Sequence, residues 1–156
     1  MANQQSATLP YPPRLDRAYI SLPPWSAGTS HYRPGQPGHG FKSEAEPLPG
    51  ESVVGKQTNS AFIGTDLESR LRTGKQNVLV VTGVITSNSV EATVRMAGNL
   101  GFDVYLVEDA TFTFGRKDWN GVYRTASEIH AMSLANLDGE YCTVVRTADV
   151  LRALKS

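Results

Sequence analysis

Every proline of the chain lies between Pro10 and Pro49, and this partition constrains the fold more than any other feature. Proline fixes φ and lacks an N–H, so it is excluded from helix interiors and from central strands. The pairs Pro12-Pro13 and Pro23-Pro24, with the turn token Pro37-Gly38, mark an extended, turn-rich or partly disordered beginning. Within it only Arg17 to Leu22 (RAYISL) reads as a short strand. Regular structure is expected from about Ser52 onward.

Three segments there are short and rich in β-branched residues: Asn77 to Thr82 (NVLVVT), Asp103 to Val107 (DVYLV) and Tyr141 to Arg146 (YCTVVR). The first is continuously apolar at its centre, the pattern of a parallel strand covered on both faces. Ser52 to Lys56 (SVVGK) is a weaker strand candidate. Helical segments alternate with these strands. Thr65 with Glu68, Asn88 with Glu91 and Thr125 with Glu128 have capping-box spacing. Val90, Val94, Ala97 and Leu100 keep one face apolar, as do Ala126, Ile129, Leu134 and Leu137. Gly74, Gly101 and Gly139 fall at expected helix stops, and a last helix runs from Ala148 to Leu154. Strands alternating with helices predict a three-layer α-β-α fold with a mostly parallel sheet of Rossmann type. Ligands of such sheets bind beyond the carboxyl ends of the strands. That rule puts Gly83 to Ser89, Asp109 to Gly115 and the segment after Lys56 on one rim.

Composition removes several function classes. Acidic and basic residues balance at 15 each, which argues against nucleic acid or an anionic membrane as partner. The single cysteine, Cys142, excludes an internal disulfide framework and reads as a small buried hydrophobe. His31, His39 and His130 have no metal-site spacing, and His130 reads as a packing or surface residue within a helix. There is no GxGxxG and no phosphate-loop motif, so no nucleotide cofactor or other cofactor is expected. No apolar run is long enough to span a membrane, and no signal-peptide core is seen, so a cytoplasmic protein is the expectation.

The candidate chemistry lies in TGVITSNSVEAT, Thr82 to Thr93, where a strand turns into a helix. With Asn88 as N-cap, Ser89 becomes the first helical residue, near unpaired N–H groups and the positive end of the helix dipole. That field stabilises a deprotonated nucleophile or a tetrahedral oxyanion, although serine is also common at helix starts for capping alone. Lys56, at the end of SVVGK, is either a solvated charge or, if desolvated, a base. Glu108 and Asp109 close a strand and either face the cleft or serve loop and cap hydrogen bonds.

VVGKQTNSAFIGTDLESRL and VLVVTGVITSNSVEATVRMAGNLGFDVYLVEDATFTF, followed by IHAMSLANLDGEYCTVVRTADVL, resemble the isochorismatase-like family of cysteine hydrolases. The resemblance runs from about His31 to Leu151. It divides the chain into a divergent or flexible segment, residues 1–30, and an incomplete hydrolase domain, residues 31–156. It implies an Asp-Lys-Cys triad that hydrolyses small amides or the vinyl ether of isochorismate. The family's lysine falls on Lys56 and its nucleophilic cysteine on Ser89. Its non-proline cis peptide falls on Val84-Ile85, and its oxyanion hole on the backbone N–H groups of Ile85 and Ser89.

Two departures follow from the same resemblance. Serine stands where the cysteine belongs, and a hydroxyl needs a dedicated base where a thiol already supplies some thiolate. The family's first strand, which ends in the triad aspartate and lies mid-sheet, has no counterpart before His31; Asp16 follows no apolar run. The first strands are therefore expected to be missing or replaced, leaving SVVGK without a neighbour that joins it to NVLVVT. Two readings stand: a hydrolase of a small amide or isochorismate-like substrate with weak or lost turnover, or a non-catalytic pseudoenzyme. The latter binds a small molecule, or pairs with copies of itself or a homologue as an oligomer.

Overall fold

A computed structural model describes residues 18–21, 41 and 43–155. Most of the proline-rich segment, with Asp16, His31 and His39, lies outside the described residues.

The order of elements is β1 (Ala18–Ser21), β2 (Ser52–Gly55), α1 (Leu67–Thr73), β3 (Val78–Val84), α2 (Glu91–Asn99) and β4 (Asp103–Phe112). The hairpin β5 (Arg116–Lys117) and β6 (Tyr123–Arg124) follows, then α3 (Ala126–Ala135), β7 (Thr143–Val145) and α4 (Thr147–Ala153). β3, β4 and β7 form one parallel sheet in that order, and β1 pairs with β2 in a second parallel ladder. The fold is thus α/β with a parallel core, as the alternating pattern requires.

β4 is the hub. Its alternate side chains point to opposite faces, as the pleat demands. Val104 and Leu106 enter the larger core with Val94, Ala97, Phe102 and Leu137. Val107 enters a smaller one with Val145 and Val150 of α4. Helices on both faces give the three layers. Leu106, Val94 and Leu137 have no accessible surface, so truncating any of them would leave a cavity at a cost of about 2–5 kcal/mol.

The β3–β4 ladder is irregular where it approaches the rim. Val81 pairs with Leu106, but Gly83 pairs with Thr111, so residues 107–110 bulge from β4. Buried Thr111 closes the bulge: its Oγ1 lies 3.1 Å from the Val107 carbonyl and 3.3 Å from that of Glu108. Bulges of this kind re-aim side chains and end regular pairing. Here Glu108 and Asp109 are turned toward α4. Glu108 accepts from Arg146 Nε at 2.6 Å, and Asp109 accepts from the Thr147 backbone N–H and hydroxyl, both at 2.8 Å. These bonds hold the Asp109 carboxyl below its ordinary pKa. Of the two readings for these carboxylates, capping and loop bonding is the one observed.

Several expectations need correction. NVLVVT is covered on both faces as expected, Leu79 and Val81 packing on the larger core and Val80 on the smaller, but Val78 to Val81 are only half-buried. The physical reason is that β3 has a strand neighbour on one edge only among the described residues, while α4 packs on the β4–β7 side. The Thr65–Glu68 capping box does not form. Thr65 Oγ1 donates to the Ala61 carbonyl at 2.5 Å, and α1 starts after Asp66 without a side-chain cap bond. Asn88 is not an N-cap either, because the chain enters α2 through a π-helical turn, Thr86–Val90. Ile85 precedes that turn, and its carbonyl accepts from the N–H groups of both Asn88 and Val90. The Thr125–Glu128 box does form, with both reciprocal bonds present.

Helix α2 approaches the backbone before β7 closely at Gly98. A Cβ built there would stand 2.7 Å from the Tyr141 carbonyl oxygen and 3.0 Å from its Cα. Backbone cannot move aside as a flexible side chain can. Alanine is the better helix former, yet Gly98→Ala is expected to lose about 1–3 kcal/mol of stability through overpacking. A urea melt in which Gly98→Ala equals or exceeds the parent would show that the α2–Tyr141 approach is looser than described.

Candidate active site

The turn after β3 begins at Val84-Ile85, whose peptide bond is cis. The π-helical turn places Ser89 in its fourth position, with Val90 buried behind it. Ser89 is half-buried, and its hydroxyl has no hydrogen-bond partner among the described residues. Its carbonyl does have one. Thr93 Oγ1 donates to it at 2.8 Å, as a threonine one helical turn later can.

The same threonine connects the turn to Lys56. Thr93 Oγ1 accepts from the Ala61 backbone N–H at 3.1 Å, in a buried contact that spans 32 positions. The loop that leaves β2 is thereby pinned to the first full turn of α2. Within the loop, Thr58 donates to the Ser60 carbonyl, Ser60 Oγ accepts from the Phe62 N–H, and Lys56 Nζ donates to the Asn59 carbonyl. Ala61 has no accessible surface, so the loop is packed as well as bonded.

Lys56 is 4% exposed, so it is not a solvated surface charge. Removal from water disfavours the ammonium, and burial lowers its pKa from 10.5 to about 8. No carboxylate pairs with it among the described residues. Nor does it hydrogen-bond Ser89; the loop and helix hold the two residues through Thr93 instead.

The turn has a second support that local spacing did not reveal. Thr86 is fully buried, and its Oγ1 shares a 3.0 Å hydrogen bond with Nδ1 of His130 on α3. These residues lie 44 positions apart, so no sequence window contains both. Glu91 extends the brace. It accepts from Ser133 at 3.0 Å and pairs with Arg95 at 2.9 Å, while the Arg95 guanidinium lies 4.7 Å from the centre of the Tyr141 ring. Beyond the turn, Ser87 Oγ and Thr113 Oγ1 are 3.0 Å apart, at the wall of a depression that also includes Ile85 and Asn88.

Cys142 is no substitute nucleophile. It is buried, and burial pushes its thiol up to about 12. Among the described residues no cluster of histidine, cysteine, aspartate and glutamate has metal-site geometry. No described helix is long and apolar enough to cross a membrane.

The turn after β3 and the buried lysine after β2 each lie beyond the carboxyl end of a parallel strand, where α/β folds bind ligands. Residues 19–149 match the isochorismatase domain, and the chain belongs to the isochorismatase family. It is 41% identical over 122 residues to the Bacillus subtilis isochorismatase family protein YrdC, covering 78% of this chain and 65% of that protein. Over 73 residues it is 40% identical to the ureidoacrylate amidohydrolase RutB of Variovorax paradoxus, 47% of this chain and 29% of that one. A crystal structure of an isochorismatase-family protein from Chromobacterium violaceum superposes with a TM-score of 0.83 at 62% identity. That match covers 88% of this chain and 71% of the other. The chain thus spans somewhat under two thirds of its Bacillus relative.

The lysine makes a pH prediction. Folded Lys56 releases its proton near pH 8, whereas the unfolded chain holds it to 10.5. From about pH 8 to 10.5 the unfolded state binds more protons, so stability rises with pH in that window and is flat below it. Relative to Lys56→Met, the parent is expected to gain about 1–3 kcal/mol between pH 7 and pH 10. Denaturant melts at the two values measure this, and a pH-independent difference would mean that Lys56 is solvated.

Proposed function

We propose that this chain carries the site of an isochorismatase-family hydrolase for a small amide or isochorismate-like substrate, and that its turnover is weak or lost. The observation that carries this reading is the buried lysine of low pKa, joined through Thr93 to the turn that holds Ser89. The amidohydrolase relative, by its name, supports the amide as the substrate class.

In that chemistry the side chain of residue 89 adds to the carbonyl carbon, and its proton passes to the neutral Lys56 amine. Backbone N–H groups of Ile85 and Ser89 stabilise the resulting oxyanion. Collapse breaks the C–N bond as Lys56 returns the proton to the leaving amine. Water then cleaves the acyl-enzyme and restores residue 89. Serine makes the first step hard, because an amine with a pKa of about 8 is a poor match for a hydroxyl. The absence of a carboxylate beside Lys56 among the described residues weakens proton handling further.

A second reading has its own observation. β3 is an apolar strand with one edge unpaired among the described residues, and such edges favour association. In this reading the chain is a non-catalytic binding subunit that pairs with another copy or a homologue.

Ser89→Cys is expected to raise amide hydrolysis by at least about 100-fold over the parent, and Lys56→Ala in that background is expected to remove the gain. A panel of small amides including nicotinamide, together with isochorismate, measures both. A folded Ser89→Cys protein that stays inert on the whole panel would sink the hydrolase reading and favour the binding subunit.

A further inference from the structure

The depression beside the turn that carries Ser89 is lined by a cation, Arg116, which no carboxylate neutralises among the described residues. Arg70, Arg72, Arg95, Arg124, Arg146 and Arg152 each face a carboxylate within 4 Å. Arg116 has no such partner among the described residues, and it lines the depression with Ile85, Ser87, Asn88, Thr113 and Phe114.

Its setting in the hairpin sharpens the imbalance. Arg116 pairs directly across from Arg124, and like charges directly opposite on a ladder destabilise it. Asp118 is close enough to relieve one of the two, but its carboxylate accepts from Arg124 Nε at 2.8 Å and from the Asn120 and Val122 N–H groups. Lys117 adds a further positive charge beside it. The acidic residues nearest in the chain on the other side, Glu108 and Asp109, are bound to Arg146 and Thr147. The hairpin is also held close to the depression: a side chain at Gly115 would collide with the Tyr123 hydroxyl, and its Cβ would stand 3.0 Å from the Arg124 carbonyl oxygen. The rest of the lining suits a small organic anion. Ser87, Asn88 and Thr113 offer hydrogen bonds, and Phe114, 61% exposed, offers an apolar face.

We propose that this depression is a carboxylate subsite, with the Arg116 guanidinium gripping the anionic end of a small amide whose carbonyl lies toward Ser89. The inference rests on the hydrolase reading for calling the ligand a substrate; the preference for an anion rests on Arg116 alone. Guanidinium matches carboxylate with paired parallel N–H donors, which a lysine cannot reproduce.

The test is equilibrium binding to the intact chain by NMR titration, with succinamate and its uncharged counterpart succinamide as probes. Succinamate is expected to bind about tenfold tighter than succinamide, within reach of one charge-assisted pair at a wet site. Arg116→Gln is expected to abolish that preference and leave succinamide unchanged, while Arg116→Lys keeps part of it. Equal binding of the two probes, no binding of succinamate, or an equal loss of both in a folded Arg116→Gln protein overturns the proposal. Turnover separates the two readings. A folded Ser89→Cys protein that stays inert on the amide panel but still selects succinamate upholds the subsite while the hydrolase reading fails. A Ser89→Cys form that hydrolyses both probes equally well overturns the subsite and leaves the hydrolase reading standing.

Discussion

The two-sided ladder of β4 is the constraint on which the rest of this structure depends. It is the strand that pairs with β3 on one edge and β7 on the other, and its alternation divides the apolar residues between two cores. Its bulge then does two things at once. It sends Glu108 and Asp109 to the start of α4, and it lets Thr111 and Phe112 resume pairing with Gly83 and Val84. The rim is a continuation of that resumed ladder.

The second organising contact is the Thr93 hydroxyl. It accepts from the Ala61 N–H and donates to the Ser89 carbonyl, so a buried hydroxyl is satisfied as both donor and acceptor. The contact is economical because neither functional side chain is consumed by it. Ser89 Oγ stays free among the described residues, and Lys56 spends one donor on a carbonyl. Thr86 and His130 brace the same turn from the other side. The turn is thus held through main chain and neighbours while the Ser89 side chain is left unengaged among the described residues.

How much of this was legible in the sequence depended on whether the signal was local. The β-branched runs placed β3, β4 and β7 within a few residues, although β4 continues to Phe112, past the DVYLV that β-branched content marked. The short strand in RAYISL was legible too, as Ala18–Ser21. Capping boxes were a poorer guide. Thr125–Glu128 formed, but Thr65 spends its hydroxyl on Ala61, and Asn88 lies inside a wide turn that no three-residue spacing encodes. The half-burial of Val78 to Val81 was invisible, because burial depends on which strand lies alongside and not on the strand itself. Family wording pointed to the Val84-Ile85 cis peptide, which the structure has. Only three-dimensional pairing showed that His130 braces Thr86, or that Arg116 goes without a carboxylate among the described residues.

The protonation chemistry of Lys56 bears on what residue 89 is doing in this fold. Burial brings the amine to about 8, close to the ordinary pKa of a thiol near 8.5. A proton moves readily between groups so matched, and poorly between an amine of that strength and a serine hydroxyl. Burying a lysine also has a cost, since the ammonium is disfavoured throughout the neutral range. In the proposed reaction that match favours a sulfur nucleophile over the oxygen that Ser89 supplies.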